Sequence, residues 1–210
     1  MASKSVPAGP VFRLAYQTPP AWAQAALEEP LALLSDHAHC ELKAATTAQA
    51  LIAKNTEHDC IVQRLPHVAI EEMQHFERVV QLLKRRGGRL EPQATSPYAD
   101  GLHKGSSGTR SSLLLDRLLI AHLIEARSLE RFHLLSQVPA HTPEELELQT
   151  LYRDLLVSEA SHRALFLALA KAVFPLDKVE AREAQLRELE GAVIQGLAPG
   201  PRVHSGPQQS

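Results

Sequence analysis

The chain has 210 residues, 44% of them hydrophobic and 4% aromatic, which is enough apolar content for one compact domain that needs no disulfide or metal staple to fold. A formal net charge of −2 excludes a generally basic nucleic-acid binder, and two cysteines, Cys40 and Cys60, exclude a disulfide framework. No apolar run approaches the length of a membrane span, residues 1–20 lack the apolar stretch of a secretion signal, and a reducing cytoplasmic setting is expected.

Helix punctuation is clear along the chain, and no run of alternating β-branched residues competes with it. After a short N-terminal helical segment, a first long apolar-periodic stretch runs from about Leu31 to Lys54. A second begins near Pro66, which suits a first helical turn, and stops at Gly87-Gly88 behind Lys84, Arg85 and Arg86. Gly87 to Arg110 holds five glycines and two prolines with little apolar periodicity and reads as a long connection. The third helix starts near Ser111 or Ser112 and ends before Pro139. A capping box, Thr142-Pro143-Glu144-Glu145, opens the fourth, which runs to about Val173. A fifth spans about Asp177 to Ile194, so residues 1–196 form one domain, and the Gly-, Pro- and Gln-rich stretch 197–210 is expected to be a disordered tail.

Short links join the first helix to the second and the third to the fourth, while the second-to-third connection is long. One long central crossover is the topology of a ferritin-like four-helix bundle, so the fold class is all-α with extra N- and C-terminal helical segments. A connection of that length in a compact domain is expected to cover or gate something.

Two of these helices carry Glu-x-x-His, at Glu72/His75 and Glu159/His162, and each is preceded by a helix with a lone glutamate on an apolar face, Glu41 and Glu125. Residues three apart on a helix point the same way, so each pair offers one carboxylate and one imidazole to one place. Glu72 shares its stripe with Leu65, Val68, Phe76 and Val79; Glu159 with Tyr152, Leu155 and Phe166; Glu125 with Leu118, Ala121, Leu129 and Phe132. All three are expected to be buried. Glu41 falls among Leu34, Ala38, Ala44, Ala45 and Ala48, a small-residue face that leaves room beside the carboxylate. Its neighbour His37 reads either as a ligand or as a hydrogen-bonded companion. A third match, Glu130/His133, lines up with Arg127 and Gln137 and reads as a solvated pair outside the site.

Burying four carboxylates with no Lys or Arg on the same stripes costs several kcal/mol per charge or forces protonation. Two divalent ions balance four ionised glutamates with two neutral imidazoles, and carboxylate plus imidazole suits iron or manganese. The role assignment that follows makes Glu72 and Glu159 bridging, with Glu41 and His75 on one metal and Glu125 and His162 on the other.

At these residues the chain resembles the MiaE family, bacterial ferritin-like non-haem di-iron monooxygenases that hydroxylate the isopentenyl group of 2-methylthio-isopentenyladenosine beside the anticodon of tRNA. The matching stretches are Asp36 to Ala45, Glu71 to Phe76, Leu123 to Phe132, most distinctive in Ile124-Glu125-Ala126-Arg127-Ser128, and Ser158 to His162. The resemblance implies the same six residues as iron ligands, dioxygen as co-substrate and tRNA bearing the modified adenosine as partner. It also implies an external electron donor, since the sequence has no dinucleotide-binding motif of its own and a separate reductase must supply electrons.

The stretch Lys84 to Arg110 carries six basic residues against Glu91 and Asp100, and Arg85, Arg86, Lys104 and Arg110 are the candidate contacts to tRNA phosphates. Two other classes fit parts of the pattern: iron oxidation or di-manganese peroxide disproportionation, as in ferritins, rubrerythrins and catalases of that fold, and a metal-free helical interaction protein.

Overall fold

A computed structural model describes residues 12–92, 95–106 and 110–207, with the side chains of 110 and 111 left aside. Every regular element among them is helical. They are α1 (Ala21–Leu27), α2 (Pro30–Lys54), α3 (Asp59–Arg85), α4 (Pro97–Lys104), α5 (Arg110–Gln137), α6 (Pro143–Val173) and α7 (Leu176–Gly196).

The four long helices make the bundle, α2 packing chiefly on α3 and α5 on α6. Ion pairs fix the register between α3 and α6, since Arg85 meets Glu147, Arg78 meets Asp154 and Glu71 meets His162, each step down α3 matching a step up α6. These two helices are therefore antiparallel, and with short α2–α3 and α5–α6 links, α3 and α5 run the same way. A chain leaving α3 must travel back along the bundle before it can start α5, which is why the crossover is long.

Two corrections concern element boundaries. The second bundle helix starts at Asp59, seven residues before Pro66, which lies inside it. Ile61 and Leu65 in those first turns are fully buried, and that packing outweighs the roughly 3 kcal/mol penalty of an interior proline. The expected disordered tail is packed from residue 197 to 207: Val203 is fully buried, the Trp22 indole Nε1–H donates to Ser205 Oγ at 2.9 Å, and the Val203 amide donates to Asp36 Oδ2 at 2.8 Å. Composition alone describes a solvated segment; these three anchors lie on α1, α2 and the bundle interior, far off in sequence.

Other signals read correctly. Thr142 Oγ1 accepts from the Glu145 amide at 3.1 Å while the Glu145 carboxylate accepts from the Thr142 amide at 3.2 Å, the reciprocal capping box. At the end of α3, Gly87 takes φ 76° and Gly88 N–H returns to Leu83 O at 3.0 Å, a left-handed termination that glycine adopts without strain. The crossover carries the short helix α4, whose Tyr98 and Leu102 are buried against the bundle and α7.

The core divides in two. One apolar cluster gathers Leu51, Ile61, Leu65, Leu118 and Phe166, the other Leu33, Val79, Phe132, Leu148 and Tyr152. On each long helix the gap between the clusters falls at the glutamates, so the bundle's waist is where its buried carboxylates lie.

Candidate metal centre

The waist brings together all six residues expected to be ligands. Ligand atoms of Glu41, Glu72, His75 and Glu159 lie within 4.8 Å of one another, as do those of Glu72, Glu125, Glu159 and His162. Glu72 and Glu159 belong to both groups. All six are buried except His75, which is partly exposed.

The close approaches to Glu72 are not hydrogen bonds. His162 Nδ1 lies 2.7 Å from Glu72 Oε1, and His75 Nδ1 3.5 Å from Glu72 Oε2 and 4.0 Å from Glu41 Oε2. Yet His75 Nδ1, His162 Nδ1, both Glu72 oxygens and Glu159 Oε1 are buried without a hydrogen-bond partner. Such groups cost about 1–3 kcal/mol each when left unsatisfied. Five of them aimed at one volume fit a site for cations, and the donor set, carboxylate oxygen with imidazole nitrogen, suits iron or manganese. Electrostatics agree. Burial, then the charge of neighbouring Glu72, pushes Glu125 up to about 8 and Glu41 well above the usual carboxylate range; burial, then Glu125, Glu41 and Glu72, does the same to Glu159. Positive charge at the waist relieves that repulsion.

Two supporting contacts orient the donors. Glu71 Oε2 lies 2.6 Å from His162 Nε2, and a proton there leaves Nδ1 as the free lone pair facing the cluster. His37 Nε2 lies 2.5 Å from Glu41 Oε1. It is not in either ligand group, its ring is stacked on Tyr152 and packed on Phe132, and burial pulls its pKa down to about 3, so it is a neutral donor that holds Glu41. Glu71 reads on the sequence as part of a solvent stripe with Gln74 and Arg78, and it is half-exposed. The available signal is its position directly before Glu-x-x-His: one helical step of about 100° turns it toward the next helix.

A cavity reaches this cluster between α2, α4 and α5. Glu41, Glu125 and Glu159 form its floor, Ala44, Ile124 and Phe166 apolar wall, and Ser128 and His204 polar rim. His204 comes from the tail, stacked on Tyr98 with centroids 4.5 Å apart and its Nε2 3.2 Å from Ser128 Oγ. Nothing in the sequence pattern marks it.

The remaining expectations divide. Glu130 is not solvated. Its carboxylate is buried, accepts from the Thr18 amide and hydroxyl at 3.0 and 2.6 Å, and pairs with Arg127. The polar stripe of α5 faces an interior made by the N-terminal segment and α7, which periodicity cannot distinguish from water. His133 is partly buried against Phe12 and stands apart from the cluster. Two of the four residues expected at phosphates are engaged in ion pairs with α6. Arg85 pairs with Glu147, Arg86 with Glu147 and the Glu144 carbonyl on the α3–α6 edge; Lys104 is exposed at the end of α4, and the Arg110 side chain lies outside the described residues.

Residues 10–205 match the sequence profile of the tRNA-(MS2IO6A)-hydroxylase (MiaE) family. The chain belongs to this family. A tRNA 2-(methylsulfanyl)-N(6)-isopentenyladenosine(37) hydroxylase from Pseudomonas putida is 40% identical over 193 residues, 92% of each protein. The hydroxylase of the same name from Salmonella typhimurium is 30% identical over 239 positions, covering 90% of this chain and 86% of that protein. Among solved structures, a Synechococcus protein with aldehyde deformylating oxygenase activity superposes with a TM-score of 0.85 at 36% identity, covering 92% of this chain and 96% of its own. MiaE membership makes the chain an enzyme of the tRNA-hydroxylase kind on a ferritin-like fold.

Proposed function

We propose that this MiaE protein inserts one oxygen atom of dioxygen into the isopentenyl group of 2-methylthio-isopentenyladenosine, beside the anticodon of tRNA. The observation that carries the reading is the cavity whose floor is three carboxylates of the six-residue cluster and whose walls are apolar. Glu41, Glu72, His75, Glu125, Glu159 and His162 would hold the metals, Glu72 and Glu159 being common to both groups of candidate ligands. Two iron ions held there would supply dioxygen activation, with electrons delivered by a separate reductase or electron-transfer protein.

The rest of the work belongs to the chain's own side chains. Ala44, Ile124 and Phe166 give an isopentenyl chain a dry wall to lie against, and small Ala44 keeps the approach to Glu41 open. His37 and Glu71 fix the orientation of Glu41 and His162 before substrate arrives. Tyr98 and His204 close the rim, so a bound nucleoside shuts water out of the site. Among the described residues no helix is long and apolar enough to cross a membrane; the proposed tRNA substrate is what supports a cytoplasmic reading.

The test is incubation of reduced, iron-loaded protein with dioxygen and tRNA bearing the isopentenyl modification, followed by mass spectrometry of the nucleosides. A gain of one oxygen on that nucleoside is the expected result. Peroxide breakdown or iron mineralisation with no such gain would transfer the reading to the ferritin, rubrerythrin or catalase class.

A further inference from the structure

The cavity over the carboxylates is the middle of a longer furrow. Toward the tail it shares Cys40, Lys43, Ser96, Tyr98 and His204 with a second cavity that Arg202 and Asp36 also line. Toward the other end it shares Thr47, His103, Ala121 and Ile124 with a third, lined further by Lys54 and Arg117. The α2 wall runs through Asp36, Cys40, Lys43, Thr47 and Lys54, one face of the helix, about 27 Å long at 1.5 Å per residue.

Charge along this furrow is one-sided. Away from the carboxylate floor its described lining holds four cations, Lys43, Arg202, Lys54 and Arg117, and a single acid, Asp36, which accepts the Val203 amide. That contrasts with a chain whose formal net charge is −2. Lys54 and Arg202 are exposed, and Lys43 and Arg117 partly so. An apolar, oxidation-competent centre with cations on both sides matches a polyanion threaded along the furrow with one side group inserted at its middle. A helical RNA stem is too wide and stiff for that. A single-stranded loop, with bases that splay outward and phosphates along one edge, has the right shape.

We infer that this α2–α5 furrow, with Lys43 and Arg202 on the tail side and Lys54 and Arg117 on the other, is the phosphate track for the single-stranded loop of the tRNA substrate. The inference rests on the proposed function and moves the RNA contacts away from Arg85 and Arg86.

Its test is equilibrium binding of an anticodon stem-loop oligoribonucleotide carrying isopentenyladenosine to the metal-loaded protein, over a series of salt concentrations. Replacing all four residues, Lys43→Gln, Lys54→Gln, Arg117→Gln and Arg202→Gln, is expected to flatten the slope of log Kd against log salt by about 2.8, roughly 0.7 for each lost phosphate contact. The exposed single variants Lys54→Gln and Arg202→Gln should each flatten it by about 0.7, and they guard against a misfolded quadruple variant. Metal content and melting midpoint are measured alongside, and Arg153→Gln with Lys178→Gln, on other faces, should leave the slope alone. An unchanged slope in the quadruple variant, or a loss that appears instead in Arg85→Gln with Arg86→Gln, overturns the inference while native hydroxylation keeps the proposed function standing. Metal-loaded native protein that, with electrons supplied, neither binds the RNA nor oxidises it refutes the proposed function itself.

Discussion

Arg127→Met should be among the most damaging single substitutions in this protein, although Arg127 touches no ligand atom. Its guanidinium is completely buried and every arm is used: Nε and Nη2 donate to the two Glu190 oxygens at 2.8 and 2.7 Å, Nη2 also to the Tyr16 carbonyl at 2.9 Å, and Nη1 to Thr18 Oγ1 at 3.1 Å and to Glu130. Methionine fills much of the volume but leaves the Glu130 and Glu190 carboxylates buried without their cation. Breaking one side of such a pair costs about 3–5 kcal/mol. At about 2–4 °C per kcal/mol for a domain of this size, the melting midpoint should fall by roughly 6–20 °C. Adding Glu190→Met to Arg127→Met removes one stranded charge and should recover part of the loss, since apolar replacement of a whole buried pair is often close to neutral. Thermal unfolding followed by circular dichroism, with metal content matched, reads both. A single variant melting within about 2 °C of the native protein, or a double variant worse than the single, would refute the reasoning.

Three other outcomes are expected. His75→Ala and His162→Ala should each lose bound metal by elemental analysis, whereas His133→Ala should keep native occupancy; full occupancy in both of the first two would remove them as ligands. Glu71→Ala should weaken metal affinity by about 10–100-fold in competition with a chelator, because His162 loses the partner that fixes its tautomer; unchanged affinity would make that contact incidental. The metal-free protein should lose stability as pH rises. Glu125 sits at about 8 in the fold against an ordinary 4.5, and Glu41 and Glu159 are raised too, so the folded state holds the extra protons, and the part of the advantage that Glu125 contributes, present below 4.5, is gone once pH passes about 8. A melting midpoint for metal-free protein no lower at pH 8.5 than at pH 5.5 would contradict those shifts.

The convergence of the six residues was legible because it obeys local rules. Glu72 and Glu159 stand on apolar stripes, each a turn before a histidine, and Glu41 and Glu125 interrupt apolar faces with no cation beside them. Helix ends at Thr142 and Gly87 were legible for the same reason, since caps are written in four residues. What could not be read depends on partners far away in sequence. The tail looks solvated until Trp22 and Asp36 are seen to bind it, and Pro66 looks like a start until Ile61 and Leu65 are seen to be buried ahead of it.

Helix α5 shows where that limit bears on function. One face presents Glu125 to the waist, and the opposite face presents Arg127, Glu130 and Arg131 to a second interior built from residues 16–22, α7 and the tail. A stripe of charge on a helix signals water only if nothing packs there, and here the packing comes from both ends of the chain. Arg131 lies over the Trp22 ring at 3.9 Å and donates to the Ser205 carbonyl at 3.0 Å; Tyr98 donates to Glu190 at 2.8 Å and stacks on His204. The buried ion network therefore fixes, through a few contacts, the two elements that rim the cavity over the carboxylates, α4 and the tail. The same helix that supplies one carboxylate of the cluster thus anchors the walls of its entrance, and a change such as Arg127→Met is expected to loosen the rim before it disturbs the six clustered residues.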